Sequence, residues 1–170
     1  MKKGIEFMNV ELINMRAIRS AYFHAFSNTP EEDAWKMLEL WAKNKGFLKE
    51  NSNIRIFGRN TYPTENPEPH GYGFFIALTP ETKIEKNIFI RIIPGGLYAL
   101  LRCEGIEKLG ECWGNLWKWV NESEYKYIGE TKGVNGFELG YEEHLNWYHT
   151  FVKKDENKFI FNLMIQLWEE

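Results

Sequence analysis

Two segments of this 170-residue chain carry the same apolar pattern at a constant distance, and that repetition narrows the folds open to it. From Pro30 to about Asn44, residues Ala34, Trp35, Leu38, Trp41 and Ala42 fall along one side of a helix, with Met37 less squarely placed and Leu40 on the far side. From Ile106 to about Asn121, residues Leu109, Cys112, Trp113, Leu116 and Val120 do the same, with Trp117 and Trp119 on the flanks. Ala34 matches Cys112, Trp35 matches Trp113, Leu38 matches Leu116, Trp41 matches Trp119 and Ala42 matches Val120, each pair 78 positions apart (34 to 112, 35 to 113). The first helix has a clear start: Thr29 as cap, Pro30 in the first turn, then Glu31, Glu32 and Asp33 where the helix dipole favours carboxylates. It ends at Gly46.

Around each helix the period changes from that of a helix to that of a strand. Residues 1–7 are a short lead-in; Asn9 to Met15 and Arg16 to Phe26 read as one long bent strand or two short ones. Strands follow at Asn53 to Arg59, Tyr72 to Leu78, Asn87 to Ile93 and the segment LYALLRCEG, and the last is Lys158 to Trp168. TYPTENPEPHG, with three prolines, is a loop. Each helix is therefore preceded by a strand and followed by two. The expected fold is α+β: duplicated strand–helix–strand–strand units in one antiparallel sheet, with both helices on one face and a ligand cleft on the other face or at the seam. One domain over residues 1–170 is expected, with halves at roughly 8–92 and 93–168.

Composition removes several function classes. A net charge of −3 with scattered lysines gives no basic patch for nucleic acid. No apolar run approaches a membrane span, and no secretory leader pattern opens the chain. Cys103 and Cys112 are too few for a disulfide framework and read as core residues, so a reduced, cytoplasmic setting is expected. His24, His70, His144 and His149 lack metal-ligand spacing, and Pro94-Gly95-Gly96 is a turn rather than a phosphate cradle, so no metal or cofactor is expected. Aromatic residues make up 16% of the chain, more than a core of this size requires, which points weakly to a cavity or partner surface.

The stretch GFELGYEE, Gly136 to Glu143, reads as a strand with a polar segment after it, from about Glu143 to Asn146. Alternation places Phe137, Leu139 and Tyr141 on one face and Glu138, Gly140 and Glu142 on the other. If the second face is solvated this is an ordinary amphipathic strand; if it is buried, Glu138 is a charge in a pocket. With helices over the Phe137 face, Glu138 points to the cleft.

Four segments resemble the GyrI-like, or AraC-type effector-binding, small-molecule-binding domains. IIPGGLYALLRCEG (Ile92 to Gly105) is similar to that family's PGG-x-YA strand, LWKWVNESEY (Leu116 to Tyr125) to its LY-x-WL-x-x-SGY helix end, and GFELGY to its FE-x-Y strand. VELINMRAIRSAYF resembles its opening strand and turn. The resemblance implies a tandem pair of strand–helix–strand–strand units and a pocket for lipophilic, cationic or planar aromatic compounds. It also implies that the pocket glutamate is Glu138. The family places Tyr two residues after that glutamate; here Gly140 stands there and Tyr141 comes one later.

Glu138, Tyr72, Tyr141, Trp117, Trp119 and Trp147 are thus the candidate ligand-binding residues. For Tyr72, Trp117 and Trp119, core packing is the competing reading. Trp147 and Tyr148 form a lid or pack on the last strand, and Trp113 is read as core. The expected function is a stand-alone multidrug- or effector-binding protein. The alternatives are a hydrolase of cyclopropane-containing or electrophilic aromatic toxins, with Glu138 as catalytic base, and a modulator acting through a protein partner such as a regulator or gyrase.

Overall fold

A computed structural model describes residues 9–61, 69–128 and 140–169. The lead-in at 1–7, most of the proline-rich loop and the Phe137-Glu138-Leu139 stretch lie outside the described residues. The elements are β1 (Val10–Met15), β2 (Ile18–Ser27), α1 (Pro30–Asn44), β3 (Ile56–Thr61), β4 (His70–Ala77), β5 (Phe89–Ile93), β6 (Gly96–Glu104), α2 (Leu109–Glu122), β7 (Lys126–Tyr127), β8 (Tyr141–His144) and β9 (Ile160–Trp168). Among the described residues the nine strands form one curled antiparallel sheet, ordered β1-β6-β9-β8-β3-β4-β2-β5, with β7 also on β9.

The duplication extends beyond the helices. β5 follows β1, β6 follows β2 and α2 follows α1 at 78 or 79 residues, measured start to start. The break at Arg16-Ala17 between β1 and β2 has its counterpart at Pro94-Gly95 between β5 and β6. At each break the chain changes neighbours: β1 pairs with β6 of the second half, and β5, which the repeat assigns to the second half rather than to the expected 8–92 unit, pairs with β2 of the first. The halves are thus laced together at both ends, and they meet in the middle where Phe57 and Gly58 of β3 face Glu143 and Glu142 of β8.

Both helices lie on one face. Ala34, Trp35, Leu38 and Ala42 of α1 pack with Ala21, Phe23, Ile56, Phe74 and Ile76. Leu116 and Val120 of α2 pack with Ala99, Cys103, Phe161, Leu163 and Ile165. The opposite face buries Tyr22, Phe57, Phe75, Tyr98, Tyr141 and Met164. Burying a side chain of this size contributes roughly 1.5–3 kcal/mol. Leu40 is 71% exposed, as its position off the apolar stripe requires.

The start of α1 differs from the expectation at one atom. The Thr29 side chain makes no capping bond; its carbonyl accepts from the Asp33 amide instead. The Asp33 carboxylate then accepts from the Ser27 hydroxyl at 2.6 Å and the Thr29 hydroxyl at 3.4 Å. Asp33→Ala is expected to cost about 1 kcal/mol, within the range of lost helix caps. A Ser27→Ala variant of equal effect, with no further loss in the double variant, would show in urea melts that one bond accounts for it.

Candidate functional site

Among the described residues, the seam between the two halves gathers the buried ionisable groups Glu142, Glu143 and His144. The sequence reading made Glu143 to Asn146 a polar segment, but Glu142, Glu143 and His144 are strand residues 5%, 7% and 5% exposed. Their side chains alternate. Glu143 faces away from the helices and forms a two-pronged ion pair with Arg55 at 2.7 and 3.0 Å. Glu142 pairs with Leu163 on one side and Gly58 on the other, which sets it on the helix face between α1 and α2.

Glu142 is held by two neutral donors. The Tyr72 hydroxyl donates to one carboxylate oxygen at 2.7 Å, and the indole N–H of Trp113 donates to the other at 3.1 Å. Among the described residues Glu142 has no cationic partner. Burial pushes its carboxyl above the usual range, while the Tyr72 and Trp113 bonds oppose that shift and the charge of Glu31 adds to it. The Tyr72 phenol is likewise driven well above its ordinary value by burial, then by Glu142.

His144 completes the chain of bonds. Its Nε2 lies 3.1 Å from the Tyr72 hydroxyl oxygen. The ring sits among Phe74, Phe151 and Phe161, at centroid distances of 5.3, 5.2 and 5.1 Å. Burial in that aromatic box holds the imidazole neutral, down to about 3.

Two glycines make the room. A Cβ on Gly58 would stand 1.8 Å from the Tyr72 hydroxyl oxygen, so the phenol lies directly over the bare Gly58 backbone. Gly140 has φ +116°, and a Cβ there would stand 2.5 Å from the Met164 carbonyl and 3.2 Å from the Trp113 ring. Beside it opens a cavity of about 150 Å³ lined, among the described residues, by Asn60, Trp113, Trp117, Gly140 and Glu142. A wider surface groove of about 540 Å³ runs past Leu97, Tyr125 and Trp168, but the charged residues lining it, Glu124, Lys126 and Glu169, are all exposed.

The structure separates the sequence candidates. Tyr72 holds the buried carboxylate, and Trp117 lines the cavity. Trp113, read from sequence as core, donates to Glu142 and lines the cavity too. Trp119 stacks on Tyr125 at 6.1 Å beside the second-half core. Trp147 is buried in the first-half core with its N–H on the Ile54 carbonyl at 3.1 Å. Tyr141 lies on the face away from the helices, against Phe75 and under the Arg59 guanidinium at 4.2 Å, where the sequence reading had put it beneath them. The expected alternation of Gly140, Tyr141 and Glu142 holds, but the helices cover the Glu142 face rather than the Tyr141 face. Glu138 lies outside the described residues. Sequence alternation does not single out Glu142 and His144 as a pair, although they stand two residues apart, as the glutamate and tyrosine of the family pattern do.

Among the described residues no three or more His, Cys, Asp or Glu side chains gather as metal ligands, and no helix is long and apolar enough to cross a membrane. No curated protein sequence is significantly similar to this chain. Several solved structures share the fold at low sequence identity. The EcmrR C-terminal domain superposes with a TM-score of 0.67 at 13% identity, covering 96% of this chain and 99% of that domain. EcmrR in its DNA complex gives 0.68 at 12% identity, covering 95% of this chain, which spans 58% of the EcmrR chain. A hydrolase from Listeria innocua gives 0.61 at 6% identity, covering 95% and 92%. These likenesses establish the shared fold, and a family model matches residues 8–156; the chain belongs to the GyrI-like small molecule binding domain family.

Proposed function

We propose that the domain captures a lipophilic cation, seating a positive charge against Glu142 and an aromatic ring between Trp113 and Trp117. The observation that carries this reading is a buried carboxylate, 5% exposed, that lines the cavity and is partnered by neutral donors. A negative charge in low dielectric attracts a cation far more strongly than in water, and indole faces add cation–π attraction. A cavity of about 150 Å³ suits a single-ring compound, since apolar cavities of that size take up benzene.

The test isolates charge from shape. Phenyltrimethylammonium carries a permanent charge; tert-butylbenzene has nearly the same shape and none. Titration calorimetry is expected to show the cation binding at least about tenfold more tightly, and Glu142→Gln to weaken the cation by about 10- to 100-fold, as for a lost charge-assisted contact. The neutral compound should respond little to that substitution. Equal affinity of the two compounds for the unaltered protein would refute the reading.

The same carboxylate supports a second reading. A carboxyl raised by burial is better matched to taking a proton from water near neutral pH. Glu142 would then act as the base in hydrolysis of an electrophilic aromatic compound. Turnover of a cyclopropane-containing alkylating compound, lost in Glu142→Gln, would favour it over capture alone.

A further inference from the structure

The hydrogen bonds at the seam have a direction, and His144 sets it. Three heavy-atom groups stand in line: His144 Nε2, the Tyr72 hydroxyl 3.1 Å away, and a Glu142 oxygen 2.7 Å beyond. A phenol carries one proton, so it donates to Glu142 or to His144 and not to both. Which it does depends on where the neutral imidazole keeps its own proton.

The other ring nitrogen decides this. His144 Nδ1 is buried without a hydrogen-bond partner among the described residues, in the box formed by Phe74, Phe151 and Phe161. An orphaned buried N–H is rarer and costlier in proteins than an orphaned acceptor lone pair. The proton therefore sits on Nε2 and is donated to the Tyr72 oxygen. The Tyr72 proton is left with one acceptor, Glu142. With the Trp113 N–H arriving from the other side, Glu142 accepts from both Tyr72 and Trp113. Donation into the phenol oxygen also polarises its O–H and strengthens its bond to Glu142.

We propose that His144 is a positioning residue that fixes the hydrogen-bond direction of the Tyr72 hydroxyl and so keeps Glu142 ionised, making the pocket selective for cations. The inference rests on the capture reading above and adds what sets its charge selectivity. Among the described residues, two further carboxylates stand near the chain. Glu31, at the start of α1, opposes ionisation of Glu142 and is paired with His70 at 3.1 Å. Glu143, the neighbour on β8, faces the other way and is neutralised by Arg55.

The test is the pH profile of phenyltrimethylammonium binding, whose midpoint reports ionisation of Glu142. In His144→Phe, which refills the aromatic box without a donor, the midpoint is expected to move up by about half a unit to one unit. Below both midpoints affinity falls about three- to tenfold, and above both it stays within about twofold. A uniform loss at every pH with an unmoved midpoint would assign His144 a merely structural role and overturn the proposal. Nitrogen NMR of the unaltered protein provides a check that needs no variant. A protonated Nε2 with a pyridine-like Nδ1 is expected, and a protonated Nδ1 would overturn it. If Glu142→Gln leaves cation binding unchanged, the capture reading fails; if Glu142→Gln abolishes it while the His144→Phe midpoint stays put, only this inference fails.

Discussion

Between pH 6.5 and pH 3 the ligand-free protein is expected to lose on the order of 4 kcal/mol of stability through His144 alone, because burial holds its imidazole down to about 3. The sign follows from which state takes up the proton. Above pH 6.5 the ring is neutral in both the folded and the unfolded chain, and the contribution is fully present. Below it the unfolded chain binds a proton that the folded chain refuses, so each further unit of acid favours unfolding by about 1.4 kcal/mol until the folded ring protonates near pH 3. Glu142 acts in the opposite sense. Its folded value is raised, so the stability it contributes is present at low pH and is lost as pH rises through that value. Urea melts of the unaltered protein and His144→Phe across this range separate the two groups. The variant is expected to have a much flatter acid limb, and parallel limbs would show that the ring is not held neutral by its box.

Gly58→Ala is expected to cost about 2–3 kcal/mol and to abolish cation capture together, though no atom of Gly58 lines the cavity among the described residues. The new methyl group would fall 1.8 Å from the Tyr72 hydroxyl oxygen and 2.5 and 2.8 Å from two ring carbons, so the phenol must leave. Its departure breaks the bond to Glu142 and the contact with His144 at once, stranding two buried polar groups. The cost belongs to the pair. In a Tyr72→Ala background the same substitution should add less than about 0.5 kcal/mol, a strong coupling in a double-variant cycle. An equal penalty in both backgrounds would place the strain in the β3 backbone instead.

Much of the architecture was legible because it repeats. Trp35 and Trp113 mark the same place on two helices, and the strands before them inherit the same spacing. The break at Arg16-Ala17 was legible only as an ambiguity, one strand or two, since nothing in VELINMRAIRS says that β1 leaves for the far half. The site was harder to read. Tyr72 and Trp117 were within reach of a pocket reading, but Trp113 was taken as core because an indole on an apolar stripe is the same in sequence whether or not its N–H finds a carboxylate. Glu142 was masked by its surroundings: YEEHLN reads as polar chain, and its burial comes from pairing with β3 and β9 on both sides, a long-range event. Tyr141 is misplaced because alternation separates two faces without saying which of them the helices cover.

The exchange of β1 and β5 between halves has a consequence for how the chain acquires its structure during synthesis. When the ribosome has made residues through β4, the sheet of the first half is a three-strand fragment, β3-β4-β2, with open edges on both sides. β1 has been made but has nowhere to go, because its partner β6 does not yet exist, and β2 waits for β5. The seam edge of β3 waits longer still, for β8 at residues 141–144. An ancestral half that closed on itself would have folded as soon as it emerged. This chain instead commits its first strand to a partner some 85 residues downstream, so neither half has its full set of strand partners without the other. Duplication here has produced one cooperative object rather than two modules, and the pocket sits where that cooperation is closed.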